Sequence, residues 1–221
     1  VDNPYIISND LQLALLARNV SKALGESVKK DAKNTNQIYS GIYFKLSQDI
    51  DLGYGVWMPI GSWTPATPNF FAGKLDGDGN TISHLKLSTD NKSSESGTQV
   101  FIPNLSGAVV KNLNFKNVKI ENVTGSTTSY AAILGVATNQ TEISGVYVED
   151  IEITNPYCYA GGLIGELNNS AMKDCVVRNL KVSAQDKTSS LRLGGIVGYN
   201  NYSTIENCYT AGLNLEVSNT Q

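Results

Sequence analysis

The sequence predicts a parallel β-helix, an all-β solenoid, closed at its N-terminal end by one α-helix. Three observations predict it. A segment recurs about every thirty residues, its apolar residues run in twos, and Gly, Asn or Asp return at two fixed positions between those runs. The clearest copies are Gly161–Val182, "GGLIGELNNSAMKDCVVRNLKV", and Gly194–Leu215, "GGIVGYNNYSTIENCYTAGLNL". Worn copies lie at Ala131–Ile153 and Val100–Ile120, with a half-copy at Phe71–Leu87.

Val110, Ile143, Met172 and Ile205 hold one position at spacings of 33, 29 and 33 residues. The same alignment matches Leu113, Val146, Cys175 and Cys208, then Phe115, Val148, Val177 and Thr210. It continues through Val118, Ile151, Leu180 and Leu213 to Ile120, Ile153, Val182 and Leu215. Period two within a copy is a strand signal, and each two-residue interruption is a corner. One corner set is Asn112, Gly145, Asp174 and Asn207, with His84 placed in it for the half-copy, and the other is Asn117, Asp150, Asn179 and Gly212. These residue types are enriched at positive φ, where the chain turns sharply. A single coil buries too little to offset the entropy of ordering it, so coils must stack and share a core. Residues 41–221 are read as about five such coils, in one domain with a cap at 1–40.

Taken in order, residues 8–30 read as an amphipathic helix. Ser8 is its expected cap, and Leu11, Leu15, Leu16, Val20, Ala23 and Leu24 follow helical spacing. Gly25 or the polar run "KKDAKNTNQ" is the expected stop. Such a helix covers the open first coil, whose edge otherwise invites aggregation. In Gly41–Trp63, Asp49 and Asp51 are expected to bond backbone amides at a corner, and Trp57 and Pro59 to pack near the cap. Trp63 lies in the Pro- and Thr-rich "SWTPATPNFF" and is expected to be exposed. "KLDGDGNTI" alternates Asp76, Asp78 and Asn80 like a calcium loop, but position twelve is the apolar Leu87, so a tight turn is expected. Unequal loops at 88–99, 121–130, 154–160 and 183–193 leave the repeat at one point and should crowd one edge of the solenoid.

From "YFKLSQDIDLG", "KLDGDGNTISHLKL", "GGLIG" and "GGIVGYN" with "TIENCYTAG", the chain over about residues 40–215 resembles bacterial surface β-helix proteins with GLUG repeats. That group includes adhesin-like proteins, and similar segments lie outside the catalytic part of immunoglobulin-A-cleaving metallopeptidases. The resemblance implies a right-handed β-helix, export, and a place at the bacterial cell surface or in the secreted fraction. Pro103 stands where later copies have Gly135, Gly165 and Gly198.

Composition narrows the function. The chain is 41% hydrophobic and 17% charged, as globular chains are, and its net charge of −3 without a basic stripe argues against a nucleic-acid partner. No apolar run is long enough to span a membrane, and the start at Val1 leaves room for a removed signal or anchor, making any membrane association peripheral. His84 is the one histidine, HExxH is absent, and the matched sheet positions carry no carboxylate cluster. No catalytic residue, cofactor or metal site is therefore assigned, and a carbohydrate-active lyase or hydrolase is the alternative of a different class.

The leading expectation is a non-catalytic adhesin or binding module for a host or neighbouring-cell glycan or protein. A purely structural segment of a larger secreted protein is a third reading. The candidate ligand residues are Trp63, Tyr157, Tyr159, Tyr199, Asn200, Asn201 and Tyr202, aromatic rings beside amides, although tyrosines also serve as solenoid stacks. Cys175 and Cys208 share a site in adjacent coils, about 4.8 Å apart and within bridging range, or stand as two stacked thiols. Cys158 has no evident partner. After Leu215 neither a helix nor a polar coil covers the last edge, which leaves self-association as a possible use of it.

Overall fold

The apolar ladders read from the repeats are rows of stacked side chains in the computed structural model, which describes residues 3–24, 29–30, 36–62, 68–88, 100–121, 130–156, 159–186 and 191–219. Val110, Ile143, Met172 and Ile205 pair strand to strand, as do Phe115, Val148, Val177 and Thr210. Ile120, Ile153, Val182 and Leu215 form a third such row.

Three parallel sheets wrap one core. The first comprises Tyr5–Ile7, Tyr43–Leu46, Lys74–Asp76, Val109–Lys111, Glu142–Ser144, Ala171–Lys173 and Thr204–Glu206. The second comprises Asn36–Ile38, Asn69–Phe71, Ile102–Ser106, Leu134–Thr138, Ile164–Asn168 and Val197–Asn201, with Lys29–Lys30 added antiparallel at its start. The third comprises Ile50–Asp51, Thr81–Ser83 with Lys86–Ser88, Asn114–Glu121, Tyr147–Thr154, Val176–Asp186 and Tyr209–Asn219. Each rung visits the second, first and third sheets in that order. The five copies make rungs two to six, and a shorter rung one, Asn36–Asp51, precedes them. Its opening strand thus falls within the 1–40 stretch read as cap. A short outer sheet, Tyr130–Ala131, Tyr159–Gly161 and Arg192–Gly194, flanks the last three rungs.

Each of rungs three to six has three fixed positions of positive φ, one more than the sequence reading assigned. Between the first and third sheets stand Asn112, Gly145, Asp174 and Asn207, and within the third sheet Asn117, Asp150, Asn179 and Gly212, all at positive φ. The added corner, between the second and first sheets, holds Gly107, Asn139 with Gln140, Asn169 and Tyr202, again at positive φ. His84 belongs to the second set, not the first. Its φ is 54° and its Nε2 lies 3.2 Å from Nδ2 of Asn117 in the next rung. The turn "DGDG" between the first and third sheets takes two more residues than the later corners.

The helix is shorter than predicted, Asp10–Ser21, and Asn9 rather than Ser8 caps it by accepting the Gln12 N–H at 2.9 Å. Ser8 supplies the reciprocal half of the cap, its N–H and hydroxyl donating to Gln12 Oε1. The helix stops at Ala23, which adopts φ 49° while Leu24 N–H closes onto the Asn19 carbonyl. The expected stop at Gly25 lies outside the described residues. The buried stripe is Leu13, Leu16, Ala17 and Val20, while Leu11 is 76% exposed and Leu15 and Leu24 also face outward. Two overlapping apolar stripes share one helical period, and only docking onto the first rung selects between them. That docking works as expected for a cap: the buried stripe is continuous with the core of the rungs, and Ser21 Oγ donates to the Pro59 carbonyl. Trp57 is buried and stacks on Phe101 at 5.3 Å.

The aspartates of the first two rungs hold corners. Asp49 accepts the Thr81 N–H and Asp51 the Gly53 N–H, each at 2.8 Å. Asp76 is buried and accepts the Asp78 N–H, the Tyr43 hydroxyl and the Asn112 amide, and it pairs with Lys111 at 2.9 Å. Burial raises its pKa, but Lys111 and these donors override burial and hold it at about 2.

Candidate ligand-binding surface

The aromatic candidates divide among different surroundings. Tyr130, Tyr159 and Tyr199 stack along the outside of the second sheet, with ring centroids 5.8 and 5.6 Å apart. Room for this comes from Gly165, where a Cβ would lie 2.5 Å from Cδ1 of Tyr130. That clash explains Gly165 of "GGLIG", whereas at Gly198 of "GGIVG" a Cβ would instead meet backbone, 2.8 Å from the Gly165 carbonyl oxygen. The stack is closed at both ends. Tyr130 is buried and donates to Glu166 Oε2 at 2.8 Å, and the Arg192 guanidinium covers Tyr199 at 4.4 Å from the ring centroid. Tyr159 and Tyr199 are thus half-buried packing elements, the alternative their residue type allowed.

The other candidates do not join them. Asn200 occupies the ladder position of Leu105, Ala137 and Leu167, at the uncovered end of the core. Asn201 donates to the Asn168 side chain at 3.4 Å, an amide ladder between rungs. Tyr202 stands at the third corner with φ 49° and is 90% exposed. A bulky side chain in that backbone region is uncommon, and Gly or Asn fills the same corner elsewhere. Trp63, Tyr157 and Cys158 lie outside the described residues, as does most of the four loops.

A different surface has the shape of a site. The bend at Asn117, Asp150 and Asn179 folds the third sheet into a groove of about 330 Å³ running along the stack. Asn117, Asp150 and Asn179 line it from successive rungs, beside Lys119, Glu152 and Lys181 in the adjoining row, and Tyr54 closes the N-terminal end. Asn179 donates to Asp150 at 2.9 Å, Lys181 meets Glu152 at 3.3 Å, and the Lys119 ammonium sits 4.8 Å from the Tyr54 ring centroid. The tyrosine ring also packs edge-on against His84, whose Nδ1 lies 2.8 Å from Asp51. Two lysines balance two carboxylates, so the groove is formally neutral.

Outside the bend, Lys116, Glu149 and Arg178 form a parallel charged row, with Lys116 and Glu149 paired at 2.8 Å. Hydrogen bonding to Glu149 raises the Lys116 pKa, and hydrogen bonding to Tyr209 raises that of Arg178. Chemically, the surface offers amide and ammonium donors beside carboxylate acceptors at a repeat of one rung, with an aromatic ring at one end. The sequence reading aligned the inward positions and passed over these outward ones. Reading the charges between Phe115 and Ile120, and between Val148 and Ile153, in the same register places Lys116 over Glu149 and Lys119 over Glu152. Among the described residues, no group of three or more His, Cys, Asp or Glu side chains is arranged to hold a metal ion.

Comparison with known proteins gives three findings. No curated protein matches the chain. A crystal structure of a proposed immunoglobulin A1 protease from Bacteroides ovatus aligns over 98% of this chain and 77% of its own, with 16% sequence identity and a TM-score of 0.46. At that similarity neither activity nor ligand transfers. A family model matches residues 189–216, and by that match the sixth rung carries the GLUG motif.

Proposed function

We propose that this chain is a non-catalytic binding module of an exported bacterial surface protein, and that its third-sheet groove holds a neutral, polyhydroxylated glycan. One observation carries the reading: the groove sets amides, ammonium groups and carboxylates side by side along a straight axis with Tyr54 at its end. Vicinal hydroxyls act as both donor and acceptor, and a pyranose face packs on an aromatic ring, so a sugar chain fits this mixture better than an ion does. Export and surface display belong to the same proposal and rest on the resemblance of the repeats.

The test is a glycan array probed with the protein and two variants. Glu152→Ala/Lys181→Ala removes an ion pair whose side chains are about half exposed in the groove and is expected to abolish binding, while Tyr199→Ala/Tyr202→Ala is expected to retain it. The reverse pattern would move the site to the last rung, and a silent wild-type protein would sink the glycan reading.

A second reading, self-association, is favoured by the sixth rung. Leu213, Leu215 and Val217 are about half exposed there, and the outer edge of Tyr209–Asn219 is unpaired among the described residues. Light scattering that shows a monomer at millimolar concentration would remove it.

A further inference from the structure

Cys175 and Cys208 occupy one ladder position in rungs five and six, and both are free thiols in this structure. Each follows a corner residue of like conformation, Asp174 at φ 55° and Asn207 at φ 51°, and Asn207 donates to Asp174 at 3.2 Å. Equal corners aim the two Cα–Cβ bonds the same way. The Cys175 N–H donates to Cys208 Sγ at 3.4 Å, so the outer sulfur already leans over the inner residue. Each thiol also donates to the carbonyl two residues before it, Cys175 to Lys173 at 3.2 Å and Cys208 to Glu206 at 3.1 Å. Both weak bonds can be given up without stranding a buried donor.

We propose that Cys175 and Cys208 are an oxidation site, joined under oxidising conditions into a cystine that fastens the sixth rung to the fifth. Strand spacing puts their Cα atoms about 4.8 Å apart, inside the range that a disulfide spans. The Cβ atoms must close by roughly 1 Å. The sixth rung can supply that movement, because its inner residues are covered from one side only.

The two thiols differ in the way the chemistry requires. Cys175 is buried, and desolvation pushes its pKa up to about 12, with its contact with Cys208 adding to the rise. Cys208 is half-buried and is the sulfur that solvent reaches. With a small disulfide such as oxidised glutathione as the oxidant, the Cys208 thiolate attacks one of its sulfurs. The disulfide breaks, a mixed disulfide forms on Cys208, and one glutathione leaves as the thiol. The Cys175 sulfur then gives up its proton and attacks Cys208 Sγ, and the second glutathione leaves carrying that proton. Two cysteine thiols are oxidised, and the two electrons reduce the glutathione disulfide. Burial of Cys175 makes the second step the slower one.

The full chain is equilibrated with oxidised glutathione, alkylated, digested without reductant and analysed by mass spectrometry. The expected product is a peptide pair joined through Cys175 and Cys208, lighter by two hydrogens than the free pair, with Cys158 alkylated or glutathionylated. Hydrogen exchange of Tyr209–Leu215 amides is expected to slow by about tenfold in the oxidised protein and to recover on reduction. A glutathione adduct that persists on Cys208, two alkylated thiols, or a bridge involving Cys158 would each overturn the proposal.

Discussion

The two ends of the solenoid are built from the same kind of rung and finished differently. At the N-terminal end, Leu13, Leu16, Ala17 and Val20 of the helix are buried in one cluster with Ile38, Phe44 and Leu46 of rung one and Phe71 of rung two. At the other end, several ladder positions of rung six carry the same residue type as rung five and are exposed among the described residues. Leu180 is 1% exposed and its partner Leu213 is 46% exposed. Met172 and Ile205 show the same contrast. Burial in a stacked repeat is thus conferred by the neighbour above, and a residue's place in the motif does not determine it. The sixth rung also concedes polarity where rung five does not. Asn200 follows Leu167, and Thr210 follows Val177. The sheet-three side of that end keeps Leu213, Leu215 and Val217, each about half exposed, and Ile205 adds an exposed apolar side chain on the first sheet.

The largest effect that tests this contrast is a charge placed at each end. Val20→Asp puts a carboxylate into the covered core, and we expect it to cost more than about 4 kcal/mol or to prevent folding. Leu213→Asp meets water on one side and should cost no more than about 2 kcal/mol. Urea unfolding of both variants checks the order, and equal losses would mean that the sixth rung is covered in solution. A milder form is the alanine pair. Leu180→Ala should lose about 2–5 kcal/mol, because its cavity is closed on all sides, and Leu213→Ala about 1 kcal/mol.

The fold was legible because inward positions of a solenoid repeat strictly. Alignment of four copies matches every inward cross-rung pair from Phe115 to Leu215 in the third sheet. The third corner escaped because its residues do not match in type: Gly107, Asn139 with Gln140, Asn169 and Tyr202 differ in both identity and number. The helix face escaped because Leu11 and Leu15 share the period of Leu13 and Leu16, and tertiary docking alone chooses. The candidate surface was less legible for a related reason. Aromatic residues close in sequence, such as Tyr199 and Tyr202, fall on a sheet and on a corner respectively. Groove residues such as Tyr54 and Lys181 are far apart in sequence and meet only when rungs stack.

The smallest effect concerns the corners themselves and has a definite pH dependence. Near the capped end, the buried carboxylate of Asp76 ties rung two to Lys111 and Asn112 of rung three, and Tyr43 of rung one donates to it. Near the open end, Asp174 is exposed and accepts from Asn207. Folding lowers the Asp76 pKa from 3.8 to about 2, so the ionised form is the one that stabilises the native state. That contribution is fully present above pH 3.8 and disappears as the pH falls through about 2. A shift of that size corresponds to about 2 kcal/mol. Asp76→Asn should therefore lose about 2 kcal/mol at pH 6 by urea unfolding, and the gap to wild type should close as both are taken towards pH 2. Asp174→Asn, at a corner where water competes for the carboxylate, should lose under about 0.5 kcal/mol at either pH. A gap at Asp76 that stayed constant with pH would mean that the amide merely packs worse there, and that the capped end owes nothing to its buried charge.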